Sequence, residues 1–200
     1  MSQARAPRAR DAELSELDAL PDNVVGEIID GELLMSPRPA PKHAEACVGL
    51  TSLLAHPFRS GIGGPGGWWI LVEPELHLGV DPRTKAVVPD LAGWRRTRMP
   101  ALPETAYFAL APDWVCEILS PSTALLDRAR KLPFYARAGV PHVWLVDPLI
   151  ESVEVYRLHE QHYLLLGTYG ADEKVRIEPF DAVELDLALL WPRIEAPAAP

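Results

Sequence analysis

The sequence predicts an α/β protein with a central mixed β-sheet, helices on its faces and a β-rich C-terminal part. Three observations carry this prediction. Short apolar stretches separated by Gly, Pro and Asp are typical of strands and number about eight to ten. Few segments have helical periodicity. One unit, made of strand 114–119, helix 123–138 and strand 143–146, has the composition and length of a parallel crossover.

The N-terminal third predicts a short helix, a hairpin and a longer helix. Leucines at helical spacing place the short helix at 11–20, and Asp30-Gly31 forms a type I′ turn between strands 24–29 and 32–35. Pro41 begins a helix that runs to about His56. The side chains expected on its buried side are Cys47, Val48, Leu50, Leu53 and Leu54.

The remaining elements follow from apolar runs and their breakers. Strands are predicted at 68–72, 75–80 and 86–94, the last two joined by a turn at 81–84. Gly139 ends the crossover helix. After the strand at 143–146, further strands are predicted at 152–158, 162–169 and 174–179, and a short helix near 187–191.

Length and composition indicate one soluble domain. The chain has 200 residues and 22.1 kDa, and we expect a single domain over 11–194 with disordered tails at 1–10 and 195–200. It contains no apolar run near the roughly 18 residues that a membrane helix needs, and residues 1–10 do not resemble a secretion signal. Two cysteines do not make a disulfide framework. A cytoplasmic protein without a membrane partner is therefore expected.

The charge is acidic overall but basic in the middle of the chain. A net charge of −9 argues against a protein that coats nucleic acid non-specifically. Residues 90–140 nevertheless carry seven basic and five acidic side chains. This segment is compatible with a site that faces phosphate, but its charge alone favours an ordinary solvated surface.

Two carboxylates lie in otherwise apolar strands. Asp90 follows Val87-Val88-Pro89, and Glu117 lies within Trp114 to Leu119. Buried carboxylates on neighbouring strands repel each other, and a hard divalent cation between them would remove the repulsion. The alternative for each acid is an edge-strand side chain that reaches water, or a helix cap.

Other polar side chains could join such a site. Lys131 lies four residues after Asp127 and four before Tyr135 on the predicted helix. These spacings fit a surface ion pair, and they also fit an ammonium group that the crossover returns over the carboxylates. His43 and Glu45 resemble a ligand pair, although a solvated first helical turn explains them as well.

These residues resemble the Uma2 family. The resemblance is carried by Val88-Pro89-Asp90, by the run from Glu117 to Thr123, by Asp127, Lys131 and Tyr135, and by the block Trp144-Leu145-Val146-Asp147-Pro148. It covers about residues 20–160 and implies an endonuclease of the PD-(D/E)XK class with a restriction-endonuclease-like sheet. One departure is Pro141-His142-Val143-Trp144, where the family usually has Pro-Glu-Tyr-Trp.

The resemblance also implies roles for individual residues. Asp90, Glu117 and the Ile118 carbonyl would hold Mg²⁺ or Mn²⁺. Lys131 would take the lysine role, because Leu119 occupies the position where the superfamily usually has its lysine. The expected supporting residues are Glu45, His43, Asp127 and Tyr135.

The function expected from the resemblance is metal-dependent hydrolysis of phosphodiester bonds in DNA. The candidate phosphate contacts are Arg95, Arg96, Arg98, Arg128 and Arg130. Two alternatives stay open: a binding or regulatory module that keeps the fold without useful catalysis, and a metal hydrolase of a small nucleotide-like substrate. The acidic C-terminal third is a candidate surface for a homodimer.

Overall fold

The computed structural model describes residues 12, 14–17, 19–21, 24–37, 39–79 and 86–191. The predicted disordered tails and the predicted turn at 81–84 lie outside the described residues.

The N-terminal elements are a helical turn and a hairpin. Helix α1 spans Leu14–Leu17, and strands β1 (Val24–Ile29) and β2 (Glu32–Pro37) pair antiparallel. Between them Asp30 and Gly31 have φ of 53° and 78°. A type I′ turn requires left-handed backbone at both central positions, so the predicted hairpin is confirmed.

Helix α2 (Pro41–Leu54) continues into a π-helical turn at Ala55–Arg59. Its buried side is Ala46, Leu50 and Leu54, whereas Val48 is 61% exposed. The prediction that Val48 faces the core is therefore wrong. The buried positions recur every four residues, which leaves Val48 on the opposite side of the helix.

The central sheet has six strands in the order β3-β4-β5-β6-β7-β8. All neighbours are antiparallel except β5 and β6, which are parallel, as the predicted crossover requires. The strands are β3 (Trp68–Val72), β4 (Leu91–Arg95), β5 (Trp114–Ile118), β6 (His142–Asp147), β7 (Ser152–His159) and β8 (His162–Tyr169). The predicted mixed sheet is confirmed, and the C-terminal strands β7 and β8 extend this same sheet.

The crossover from β5 to β6 is one helical body with an irregular centre. It consists of α3 (Ala124–Leu126), a π-helical turn at Asp127–Lys131, and α4 (Leu132–Arg137). Gly139, with φ of 77°, follows its end. Both Asp127 and Lys131 are buried, so the π-helical turn carries polar side chains into the protein.

Among the described residues, the predicted strand at 75–80 is absent, and the predicted strands at 86–94 and 174–179 are shorter than expected. Between 75 and 90 the described residues form only isolated bridges, and β4 begins at Leu91. Strand β4 cannot begin earlier because the Val88 N–H donates to the Glu27 side chain and Pro89 has no N–H, so neither residue can donate to a neighbouring strand. The predicted strand at 174–179 is reduced to β9 (Lys174–Val175), which pairs with β10 (Leu185–Asp186) before a 3₁₀ turn at Leu187–Leu190.

The sheet separates two apolar clusters. One contains Trp114, Cys116 and Ile118 of β5, the buried side of α2 and the C-terminal segment from Val175 to Trp191. The other contains Val115 and Leu119, residues of α4, and Ile29 of the hairpin. Alternate residues of β5 thus face opposite layers. None of the described helices is both long and apolar enough to span a membrane.

Phe180 joins the C-terminal segment to the core. Its ring centroid lies 4.7 Å from that of Phe58, 4.9 Å from Trp68, 5.0 Å from Trp114 and 5.5 Å from Trp144. The side chain is fully buried, so truncating it would remove contacts with four rings at once.

We expect Phe180→Ala to lower the free energy of unfolding by about 3–5 kcal/mol, because it leaves a cavity among these rings. Chemical denaturation followed by tryptophan fluorescence measures the change. Leu189→Ala is the control, since Leu189 is 65% exposed, and it should change the free energy by less than about 0.5 kcal/mol. A loss below about 1 kcal/mol for Phe180→Ala would contradict this assignment of the core.

Candidate active site

The sheet topology brings the two predicted carboxylates to one edge. Because β4 and β5 are antiparallel, Leu91 at the start of β4 pairs with Cys116 near the end of β5. Asp90 therefore stands beside the carboxyl end of β5, where Glu117 and Ile118 lie. The crossover helix then returns Lys131 to this edge. All four residues line one cavity of about 410 Å³.

Lys131 is the centre of a buried charge cluster. Its Nζ atom lies 3.0 Å from Glu27 Oε1, 3.2 Å from Glu117 Oε2 and 3.7 Å from Asp127 Oδ1. Each of these side chains is less than 10% exposed. Burial lowers the pKa of Lys131, but the three carboxylates outweigh burial and raise the pKa well above its usual value. The ammonium group therefore stays protonated.

Glu117 is held on both of its oxygens. Oε2 accepts from Lys131, and Oε1 accepts from the Tyr135 hydroxyl at 2.5 Å. Burial raises the pKa of Glu117 well above its usual value, Lys131 opposes that rise, and the charges of Asp127 and Asp90 add to it. Tyr135 lies in the same apolar cluster as Val115, so this face of the sheet fixes the hydroxyl that orients Glu117.

Asp90 is also held on both oxygens. Oδ2 accepts from the Ile118 backbone N–H at 2.6 Å, and Oδ1 lies 3.1 Å from His43 Nε2. Burial lowers the pKa of His43, but the hydrogen bond and charge of Asp90 outweigh this and raise it above its usual value. His43 Nδ1 is buried and has no hydrogen-bond partner among the described residues. Helix α2 thus contributes one predicted residue to the site.

Burial also acts on Asp127 in the crossover. It raises the pKa of this carboxyl to about 6, while Lys131 and a hydrogen bond from Thr123 oppose the rise. Asp127 is 2% exposed and lines the cavity, so the predicted pair with Lys131 is internal and not on the surface.

Glu27 is a site residue that the sequence reasoning missed. It projects from β1, is 3% exposed, and its Oε1 accepts from the Val88 N–H at 2.9 Å as well as from Lys131. A signal was present, because Glu27 lies between Val25 and Ile28 in a mainly apolar strand. This is the same pattern that singled out Asp90 and Glu117.

Glu45 and the five arginines are not brought to the cavity. Glu45 is exposed on α2 and does not line it. Arg98 pairs with Asp113 at 2.8 Å, and Arg128 and Arg130 pair with Glu154 and Glu32. The remaining two stack on tryptophan rings of β3: Arg95 on Trp68 and Arg96 on Trp69. None of these six residues lines the cavity, so the structure does not bring Glu45 to the other expected site residues, and the expected phosphate contacts of the arginines stay predictions.

The oxygen donors of the cavity fit a hard divalent cation. Within the described ranges, no group of three or more His, Cys, Asp and Glu side chains is arranged to hold a metal ion. Asp90 and Glu117 nevertheless face one cavity, and Mg²⁺ is commonly bound by one or two carboxylates with water completing its coordination. The cavity also has surplus negative charge, because five carboxylates line it and Lys131 is its one lysine or arginine among the described residues. A cation bound largely through water fits both observations.

Comparison with known proteins agrees with the fold and gives the family. No curated protein matches the chain. The structure is similar to a crystal structure described as a putative nuclease belonging to DUF820 from Anabaena variabilis, with 24% identity and a TM-score of 0.69. The match covers 90% of this chain and 97% of that one. The family model described as Uma2, putative restriction endonuclease, matches residues 12–189, so this chain belongs to the Uma2 family.

Proposed function

We propose that the protein is a metal-dependent endonuclease that hydrolyses phosphodiester bonds in DNA. The observation that carries the proposal is the shared cavity, where Asp90 before β4, Glu117 of β5 and Lys131 of the crossover meet. Asp90, Glu117 and the Ile118 carbonyl would hold Mg²⁺ or Mn²⁺. When bound, the ion would polarise the phosphate and acidify an attacking water.

Lys131 contributes a fixed positive charge and does not accept a proton. Three carboxylates hold the ammonium group in place and keep it protonated. A preorganised cation in a buried site stabilises charge that develops on phosphate oxygens, with no reorganisation at the moment of reaction. Removing this charge should lower the rate more than it lowers substrate affinity.

A second candidate is a smaller nucleotide-like phosphodiester, and the paired arginines favour it. Arg98, Arg128 and Arg130 each bind a carboxylate of this chain. A long polyanion needs many free cationic contacts, whereas one phosphodiester in a cavity of about 410 Å³ needs few.

Asp90→Asn and Lys131→Met should each lower metal-dependent cleavage of supercoiled plasmid by at least about 100-fold, because one removes a ligand charge and the other removes the fixed cation. Initial rates with Mg²⁺ and with Mn²⁺ measure the effect. Glu45→Gln is the matched control, since it removes an exposed carboxylate away from the cavity, and it should keep wild-type activity. Equal cleavage by wild type and by both cavity variants would refute the proposal.

A competition experiment separates DNA from the small substrate. If DNA is the substrate, a dinucleotide in large excess should leave plasmid cleavage nearly unchanged, and a short duplex should compete fully, because affinity grows with the number of phosphates bound. Hydrolysis of the dinucleotide at the rate of a duplex phosphodiester would favour the second candidate.

The titration of Asp127 predicts how stability depends on pH. The pKa of Asp127 rises from 3.8 unfolded to about 6 folded, so the folded state binds more protons between these values. Stability therefore decreases as pH rises through this window. Through this group, the free energy of unfolding of wild type should fall by about 2 kcal/mol between pH 4.5 and pH 7, and Asp127→Asn should lack this contribution. Urea denaturation at both pH values measures the difference. Parallel pH profiles for wild type and variant would contradict this role of burial.

A further inference from the structure

Four arginines lie near the end of β4 that is remote from the cavity. Arg95 is the last residue of β4 and follows Asp90 by five positions, so at about 3.3 Å per residue it lies roughly 16 Å along the strand from the cavity. Arg96 and Arg98 come next in the chain, and the Arg96 guanidinium donates to the Arg59 carbonyl at 3.0 Å. None of the four lines the cavity.

Three of these arginines keep an uncompensated positive charge. Arg98 binds Asp113 at 2.8 Å. The ion pairs of the described residues include none made by Arg59, Arg95 or Arg96. We call these three residues the arginine surface.

The chain around the arginine surface contains no acidic side chain. Neither of the segments 55–72 and 91–103 includes Asp or Glu. Residues 60–67, which connect Arg59 to β3, include five glycines, so few side chains stand between the surface and an approaching ligand. On a chain with a net charge of −9, this region is therefore locally positive and open.

Two guanidinium groups of the arginine surface are held over indole rings. The guanidinium carbon of Arg95 lies 4.5 Å from the ring centroid of Trp68, and that of Arg96 lies 4.3 Å from the ring centroid of Trp69. The Trp69 Nε1–H donates to the Met99 carbonyl at 2.9 Å, which fixes this ring in turn. Stacking orders a guanidinium without neutralising its charge, so little side-chain entropy is lost when it binds an anion.

The arrangement fits an extended polyanion better than one phosphate group. Trp68 and Trp69 are successive residues of β3, and they pack into the two apolar clusters on opposite faces of the sheet. The arginines over these rings are therefore directed to different sides of the strand end and do not converge on one point. Phosphates recur along a nucleic acid, so separate phosphates can bind separate guanidinium groups.

We propose that the arginine surface is a second nucleic-acid contact, which binds backbone phosphates about five nucleotides from the phosphodiester in the cavity. At a rise of about 3.4 Å per nucleotide, this number of nucleotides spans the distance from Asp90 to Arg95. The inference rests on the proposed function, because it places a further contact to the same polymer. The phosphodiester that reacts still meets Lys131 in the cavity.

Binding is measured in EDTA, so that no metal-dependent cleavage occurs. The probe is a fluorescein-labelled DNA duplex of about 20 base pairs, and its anisotropy gives the affinity of the full-length protein at several salt concentrations. The variants are Arg59→Gln and the double variant Arg95→Gln/Arg96→Gln. Arg157→Gln is the matched control, since Arg157 is 49% exposed, pairs with Glu178 and is separated from β4 by two strands.

Each lost phosphate contact should lower the slope of log affinity against log salt by about 0.9. We expect a decrease of about 0.9 for Arg59→Gln and about 1.8 for the double variant, which should also bind at least about tenfold more weakly at low salt. Arg157→Gln should keep the wild-type slope. An RNA duplex of the same length is the second probe, and an equal loss with it would show that the surface binds phosphate whichever sugar carries it.

Kinetics with Mg²⁺ provide a second measurement on the same proteins. Because the arginine surface is remote from the reacting phosphodiester, the double variant should raise KM for the duplex and leave kcat unchanged. Hydrolysis of a dinucleotide, which is too short to reach the surface, should be unchanged as well. Circular dichroism checks folding, and Arg59→Gln keeps the test decisive if the loss of stacking unfolds the double variant.

Two outcomes separate this inference from the proposed function. If the folded variants have the slope and affinity of Arg157→Gln, the arginine surface is not a nucleic-acid contact, and cleavage that depends on Asp90 and Lys131 would still support the nuclease. If the variants lose affinity as expected but wild type cleaves neither DNA nor the dinucleotide with Mg²⁺ or Mn²⁺, the contact stands and the nuclease proposal fails.

Discussion

The contact of Lys131 with three buried carboxylates is the interaction on which the rest of the site depends. Glu27, Glu117 and Asp127 come from the hairpin, the central sheet and the crossover helix. Each would be unfavourable if buried alone, since an unpaired charge in the interior costs several kcal/mol. One ammonium group therefore fixes three elements relative to one another, and the cavity exists where they meet.

The sequence predicted much of this arrangement because its strongest local patterns coincide with the structure. A carboxylate inside an apolar strand indicates a buried polar site, and this reasoning found Asp90 and Glu117. The crossover between β5 and β6 followed from segment lengths, and it explains why a lysine 14 residues after Glu117 contacts it. The hairpin turn followed from Asp30-Gly31, whose backbone requirement is local.

The parts that could not be predicted depend on long-range contacts. Glu27 is 61 residues from Val88, and no local pattern predicts that the Glu27 side chain accepts the Val88 N–H. Because of this hydrogen bond, that N–H does not pair in the sheet and β4 begins only at Leu91. Arg130 and Glu32 are 98 residues apart, so their pairing could not be predicted from residue spacing either. The helical periodicity also predicted the wrong side of α2 for Val48. Successive side chains of a helix are rotated by 100°, and contacts with the rest of the core decide which of several adjoining positions are buried.

The ion pairs that attach the hairpin also reduce the number of unpaired cationic side chains that could bind a polyanion. Arg130 binds Glu32, and Arg137 binds both oxygens of Asp30, so basic side chains of the crossover hold the hairpin over the sheet. A chain with a net charge of −9 has weak long-range attraction for DNA, and these two arginines are already paired with carboxylates of the same chain. Under the proposed function, positive charge at the site would come from Lys131 and from the proposed cation. Catalysis and substrate recognition would therefore depend on the same ion, so binding of the ion should precede binding of the phosphodiester.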